Sequence, residues 1–284
     1  MNIKTLEHTD FEILFHSFQK AFYDYKISFE KEELRSILTR RGYDPRLSFA
    51  AFDNGEIVAF TLNGIGMFND IPTAYDTGTG TLKEYRGRGL AGEIFSYSLP
   101  YLKEAGIRQY LLEVLCDNER AISVYRQMNF EISRRFDCFR QDVKEINISS
   151  DIVLPGEIAI RQVEHTEIIP LQYFADFNPS WQNSIQSITR GSASLVCLGA
   201  MVKDKLIGYC VVDPSTGDLT QLAVDPLFRR KGVGSCLLRE AIGLLKTPTI
   251  KVLNVASDCL TLPTFLDSKN ISLSSQQYEM ILRL

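Results

Sequence analysis

The sequence predicts a mixed α/β fold of the α+β kind, in two related halves, each opening with antiparallel hairpins and closing with strand-loop-helix-strand units. Three observations predict it. At 284 residues the chain exceeds the common size of one domain, so two domains, each burying its own core, are expected. A basic glycine turn, Arg86-Gly87-Arg88-Gly89-Leu90-Ala91, recurs 143 residues later as Arg229-Arg230-Lys231-Gly232-Val233-Gly234. Each copy follows a strand-like stretch and precedes an amphipathic one, so the context is duplicated along with the glycines.

In the first half, residues 2–6 read as a strand and 11–22 as a helix. A second helix is expected over 28–41, opened by Ser28 with Glu32 close behind. Alternation over 47–52, the turn Asp53-Asn54-Gly55 and the run 56–60 predict a hairpin, because Asn-Gly suits the left-handed backbone of a tight turn. A threonine- and glycine-rich strand over 72–82 leads into the first glycine turn and a helix over 90–105. Strand 109–115, helix 119–128 and strand 130–139 follow. The second half repeats this order in shorter form: strand 157–161, a helical stretch through Leu171 and Phe174, and strands 194–202 and 205–212 joined at Lys203-Asp204. Strand 219–224, the second glycine turn, helix 233–245, strand 249–255 and a last strand over 277–282 complete it. The polar run between Phe139 and Pro155 predicts an N-terminal domain over 1–145, a linker over 146–155 and a C-terminal domain over 156–284.

Composition excludes several classes. A net charge of −4 argues against wholesale neutralisation of nucleic-acid phosphates, so any anion site is local and no nucleic-acid partner is expected. No apolar run approaches the roughly 20 residues of a membrane helix, and the first residues lack a signal-peptide core, so no membrane partner is expected. The cysteines Cys116, Cys138, Cys197, Cys210, Cys236 and Cys259 form no C-x-x-C pair and have no histidine cluster nearby. Free thiols, no metal site and a reducing cytoplasm are the expectation.

A strand running into a glycine-rich turn and a helix makes an anion site, because unpaired N–H groups at the helix start point outward and the helix dipole favours negative charge. The flanking Arg86, Arg88, Arg229, Arg230 and Lys231 would add charge where a pyrophosphate lies. The turn lacks the Gly-Lys-Ser/Thr ending of a nucleoside triphosphate loop. Nor does the first copy stand near the chain start, where a dinucleotide fold carries its Gly-x-Gly-x-x-Gly turn with an acidic residue about 20 residues later, so that fold is disfavoured. A turn that merely caps a helix would explain one copy; two copies in matched context favour a ligand.

Arg-x-x-Gly-x-Ala at Arg86, Gly89 and Ala91, and Arg-x-x-Gly-x-Gly at Arg229, Gly232 and Gly234, resemble the acetyl-CoA loop of the GNAT N-acetyltransferase superfamily. Leu112-Glu113-Val114-Leu115 followed by Asn118, Ala121, Tyr125 and Phe130 is similar to the family's second conserved segment. Both halves carry the resemblance, which implies two GNAT-like domains. Each would be a mixed, mostly antiparallel sheet, splayed at its centre, flanked by helices, with acetyl-CoA as cofactor. It further implies that backbone near Thr81, Leu82 and Lys83 bonds the pantetheine arm. Arg86, Gly87, Arg88, Gly89, Leu90 and Ala91 would hold the pyrophosphate, and Asn118 would contact the cofactor. Tyr125 would protonate the departing thiolate. In the second copy Leu222, Ala223 and Val224, with Arg229, Arg230, Lys231, Gly232, Val233 and Gly234, offer the same binding functions. That copy departs from the pattern at the acid, where Phe265 or Leu266 replaces the tyrosine, so the first half is expected to be catalytic and the second degenerate or regulatory.

A primary amine, mostly protonated at neutral pH, must lose a proton before it attacks a thioester. Asp76, on the strand entering the first turn, is the best-placed base, and Glu113 is second. The acceptor, a small-molecule or peptide amine, would be bounded by Phe22-Tyr23-Asp24-Tyr25 and Met67-Phe68-Asn69-Asp70. Residues 177–183, with the chain's only tryptophan, Trp181, would line a pocket or an interdomain contact. The competing expectation is a noncatalytic coenzyme A-binding or scaffold protein. Two fused copies suit a monomer with an internal pseudo-dimer, or a homodimer.

Overall fold

The computed structural model describes residues 1–25, 29–148 and 158–284. They divide into two compact units: Met1–Ser133 with Tyr278–Leu284, and Arg134–Gln277. The divisions fall inside two long strands and not in the polar stretch 146–155, of which residues 149–155 lie outside the described residues. The expected boundary rested on local composition, whereas the observed one is set by long-range strand pairing.

In the first unit, β1 (Asn2–Thr5), β2 (Phe49–Asp53), β3 (Glu56–Phe68) and β4 (Ile71–Thr81) pair antiparallel in that order, and β5 (Gln109–Leu115) joins β4 in parallel. Next to β5 lies the Tyr278–Leu284 part of β12 (Ser272–Arg283), then the start of β6 (Glu131–Asp142). Helices α1 (Phe11–Phe22) and α2 (Lys31–Arg41) precede the hairpins, α3 (Leu90–Glu104) links β4 to β5, and α4 (Glu119–Gln127) follows β5. Asp10 caps α1 by accepting the Glu12 N–H at 2.7 Å, and the helix buries Leu14, Phe15, Phe18 and Ala21 against the sheet. Met280 of β12 is fully buried among Ala74, Phe95, Tyr110, Leu112 and Phe130, and the Leu284 N–H bonds the Arg108 carbonyl at 2.9 Å. The chain's last residues therefore complete the core of the first unit.

Two expectations need adjustment here. Helix α2 begins at Lys31 without a side-chain cap, and Ser28 lies outside the described residues. Strand β3 continues to Phe68, so residues 67–70 form the end of a long hairpin that turns at Asn69 and Asp70 with φ of 50° and 60°. Most of β3 is buried on both faces, which erases the period-two signal.

The second unit repeats the plan with β7 (Ile158–Val163), β8 (Val196–Val202), β9 (Lys205–Asp213) and β10 (Asp218–Val224) antiparallel, β11 (Thr249–Ala256) parallel to β10, and β6 antiparallel to β11. Its helices are α5 (His165–Ile168), α6 (Ile185–Arg190), α7 (Val233–Gly243) and α8 (Thr261–Ser268). Helices α6 and α8 escaped the sequence reading because they are too short to display a period, and Pro263 interrupts the helix-forming residues of α8.

Both sheets part where the pairing of the parallel strands ends. Among the described residues, β4 and β5 pair only from Thr73↔Gln109 to Tyr75↔Leu111, and β10 and β11 pair at Asp218↔Lys251. A bulge sits beside each gap, skipping Thr77 in β4 and Thr220 in β10, 143 residues apart like the two loops. Among the described residues, no helix is long and apolar enough to cross a membrane.

Candidate active site

In the first unit, the gap between β4 and β5 opens into a cavity of about 440 Å³ bounded by the glycine loop and the first turns of α3 and α4. Gly89 caps α3 in the left-handed region (φ 79°), and Gly87 is likewise left-handed (φ 78°). A Cβ at either would meet nothing within 4 Å, so backbone conformation and not crowding calls for glycine, and the space over the loop is open. The first N–H groups of α3 lack helical acceptors and no side chain caps them, which leaves donors and the positive end of the dipole facing that space.

The loop's arginines are largely engaged by the protein itself. Arg86 donates to the Thr81 carbonyl (3.1 Å), the Ala21 carbonyl (2.9 Å) and the Asp24 carboxylate (3.2 Å), fastening the loop to the end of α1. Arg88 donates to the Glu84 carbonyl at 2.8 Å and covers the Tyr85 ring. The second loop repeats both arrangements. Arg229 donates to the carbonyls of Val224 (2.9 Å) and Phe174 (3.0 Å) and to Asp176 (2.7 Å), while Lys231 bonds the Leu227 carbonyl and covers the Phe228 ring. Gly232 repeats the left-handed cap at φ 83°, and Arg230 takes the left-handed position of Gly87 at φ 61°.

Of the remaining residues expected to bind cofactor, Thr81, Leu90, Ala91 and Asn118 line the cavity. Leu82 is buried with its N–H bonded to the Val58 carbonyl, and Lys83 extends outward, 3.6 Å from Asp24. Asn118 also caps α4, accepting the Ala121 N–H at 3.2 Å. Arg120 reaches the cavity wall and is exposed, a cation the loop motif did not reveal.

Asp76 and Tyr125 stand in the same wall. The Asp76 carboxylate accepts the Gly78 N–H (2.9 Å) and the Thr79 hydroxyl (2.8 Å). Burial nevertheless pushes its pKa from 3.8 up to about 6, against the pull of those bonds and of Arg41. Burial, and then the charge of Asp76, raises the Tyr125 phenol well above its ordinary value, so it stays protonated at neutral pH. Glu113 is placed differently: it accepts the Tyr75 hydroxyl at 2.9 Å and takes no part in the cavity wall, where its neighbours Tyr110 and Leu112 do. Period-two alternation along β5 separates it from them.

The second unit has a matching cavity of about 600 Å³ lined by Leu222, Ala223, Val224, Arg229, Arg230, Gly232, Val233, Gly234 and α8. The positions that match Asp76 and Tyr125 carry no titratable side chain here. The Phe130 N–H bonds the Tyr125 carbonyl at the end of α4 as the Ile271 N–H bonds Leu266 at the end of α8, so fully buried Leu266 stands in the place of Tyr125. The matched bulges put Leu219 in the place of Asp76. Trp181 is buried inside this unit, and Asn183 bonds both strands across the gap, donating to the Leu253 carbonyl (2.8 Å) and accepting from Gln221 (2.6 Å).

The sequence matches the model of the acetyltransferase (GNAT) family at residues 11–130 and 163–259. It is 29% identical over 109 residues to the N-alpha-acetyltransferase MAK3 of Arabidopsis thaliana, covering 37% of this chain and 57% of that protein. It is 31% identical over 87 residues to N-alpha-acetyltransferase 30 of Schizosaccharomyces pombe, covering 30% and 58%. The chain thus spans just over half the length of these relatives. In fold it is similar to a tandem GNAT protein from the clavulanic acid biosynthesis pathway (TM-score 0.76, 12% identity, 99% of this chain and 98% of that one). It is also similar to a GCN5-related N-acetyltransferase from Sphaerobacter thermophilus (TM-score 0.72, 11% identity, 99% and 95%). With the glycine loop, the parted sheet and the family match present in both units, the chain belongs to the GNAT acetyltransferase family and is a tandem GNAT protein.

Proposed function

We propose that the first unit transfers the acetyl group of acetyl-CoA to an α-amino group on a peptide or amino acid, while the second binds coenzyme A without chemistry. The observation that carries this reading is the convergence of Asp76, Tyr125 and an open anion-binding loop on one cavity, against a second cavity with the loop but neither proton-transfer group. Acetyl-CoA supplies an acetyl thioester whose leaving group is a thiolate. Asp76 takes the proton the ammonium must lose, and the Tyr125 hydroxyl delivers one to the departing sulfur. Backbone N–H groups of the loop, with Arg120, hold the pyrophosphate.

The acceptor class rests on two supports. The relatives just described are N-alpha-acetyltransferases. An α-ammonium, with a pKa near ~8, gives its proton to a carboxylate of pKa about 6 at ~3 kcal/mol uphill; an alkylammonium near ~10.4 would require ~6 kcal/mol. Six free cysteines, five of them buried, fit a reducing compartment such as the cytoplasm.

Mass-spectrometric detection of acetylated peptide tests the reading. Wild type should acetylate free α-amines, and Tyr125→Phe should retain acetyl-CoA affinity while losing ~10- to 100-fold in kcat, modest because a thiolate leaves readily. Tight acetyl-CoA binding with no transfer to any amine would favour the noncatalytic alternative.

A further inference from the structure

The cavity wall of the first unit holds a tyrosine that the sequence motifs did not single out. Tyr110 lies on β5 beside Asp76 and Tyr125, and burial together with the charge of Asp76 holds its phenol protonated. Its hydroxyl donates a short hydrogen bond to the Asn63 side-chain carbonyl. The direction of that bond is fixed by the surroundings. The Asn63 amide nitrogen donates to the Leu47 carbonyl at 2.6 Å, an atom that can only accept, so the amide oxygen must face Tyr110. The Asn63 backbone N–H donates to the Ser48 hydroxyl, which in turn donates to the Asp44 carbonyl. With its proton committed to Asn63, the Tyr110 oxygen keeps acceptor capacity, and among the described residues no donor bonds it.

The second unit provides an internal control. Asn63 and Asp76 are cross-strand partners next to the β4 bulge, and the corresponding partners next to the β10 bulge are Val212 and Leu219. Aligning Tyr75↔Leu111 with Asp218↔Lys251 sets Ile250 in the place of Tyr110. All three replacements are buried core residues. The same sheet therefore forms with Val, Leu and Ile at these positions, so the polar trio of the first unit is not a requirement of the fold.

We propose that Tyr110, oriented by Asn63, binds the acceptor amine: its phenol oxygen accepts one N–H of the attacking nitrogen, beside Asp76. The inference rests on the acetyl-transfer reading of the first unit. An amine that must aim its lone pair at a thioester carbon needs acceptors for its N–H groups elsewhere, and Asp76 and Tyr110 form such a pair. Asn63 is a positioning residue that acts through Tyr110.

The test uses the full chain and randomised tetrapeptides with free α-amines. Tyr110→Phe keeps the edge-on ring packing with Phe95 and Phe130. It should leave the acetyl-CoA dissociation constant unchanged, lower the melting temperature because the buried Asn63 carbonyl loses its donor, raise KM for peptide, and lower kcat/KM at least ~10-fold, about 1.4 kcal/mol of lost hydrogen bonding. Calorimetric titration of the peptides into the protein loaded with coenzyme A should show the same weakening. Asn63→Val should reproduce the loss in wild type and add nothing to Tyr110→Phe. Wild-type kcat/KM in Tyr110→Phe overturns the inference even if Asn63→Val does not fold. A wild type that binds acetyl-CoA yet acetylates no peptide overturns the acetyl-transfer reading and this inference with it.

Discussion

Replacing Asp76 by asparagine separates stability from activity in a direction set by burial. A carboxyl raised from 3.8 in the unfolded chain to about 6 in the folded one makes the native state bind more protons than the unfolded state between those values. Stability is therefore fully present below 3.8 and falls as pH rises through about 6, where the carboxylate must be held charged away from water. The total loss is ~3 kcal/mol, of which ~2 kcal/mol falls between about pH 4.5 and about pH 7.5. Asparagine is isosteric and keeps an oxygen for the Gly78 N–H, and the Thr79 hydroxyl can turn to accept from the new amide. Urea unfolding of wild type and Asp76→Asn at the two pH values gives the quantity directly. The variant should gain about 2 kcal/mol relative to wild type on going from the acid to the neutral condition. Constant effects of the substitution cancel in that difference. The rising limb of kcat/KM against pH, with an apparent pKa near 6 in wild type, should vanish in the variant. A stability difference independent of pH would refute the premise that Asp76 is a desolvated base.

Two further predictions address the loops and the last strand. Gly89→Glu places a carboxylate and a Cβ at a left-handed position facing the first cavity, and calorimetric titration of acetyl-CoA should lose the first-unit site. Gly232→Glu should abolish only the second, and loss of acetyl transfer in Gly232→Glu alone would reverse the assignment of the active unit. Met280→Ala empties a fully buried place in the first unit's core, so chemical denaturation should show that unit ~2–5 kcal/mol less stable with the second unaffected. An unchanged first transition would contradict the packing of β12 there.

The duplication, the two glycine loops, most of the helix-strand order around them and the lack of a second-half counterpart to Tyr125 were legible because each depends on local signals: glycine in a left-handed cap, alternation, helical periodicity. Tyr125, singled out by the family resemblance, and Asp76, by its place on the strand entering the loop, both line the first cavity, because a helix position and a strand position are each fixed relative to the loop. Tyr110 was not, since nothing in Gln109-Tyr110-Leu111 distinguishes a cavity-lining tyrosine from an ordinary core ring until β4 and β5 are seen to part beside it. The roles of Arg86 and Arg229 were also out of reach, because their partners Ala21 and Asp24, and Phe174 and Asp176, come from segments more than fifty residues away.

The sequence by itself determined that this protein is two copies of one loop-bearing plan, and that only the first copy keeps the tyrosine of the family pattern. Tertiary structure decided which charged groups face the cavity, which are spent on the loop's own architecture, and that the chain's last residues fill the core of its first unit. Side-chain direction and strand exchange depend on pairings between distant segments, and those are fixed only when burial of the whole sheet selects one register over its alternatives.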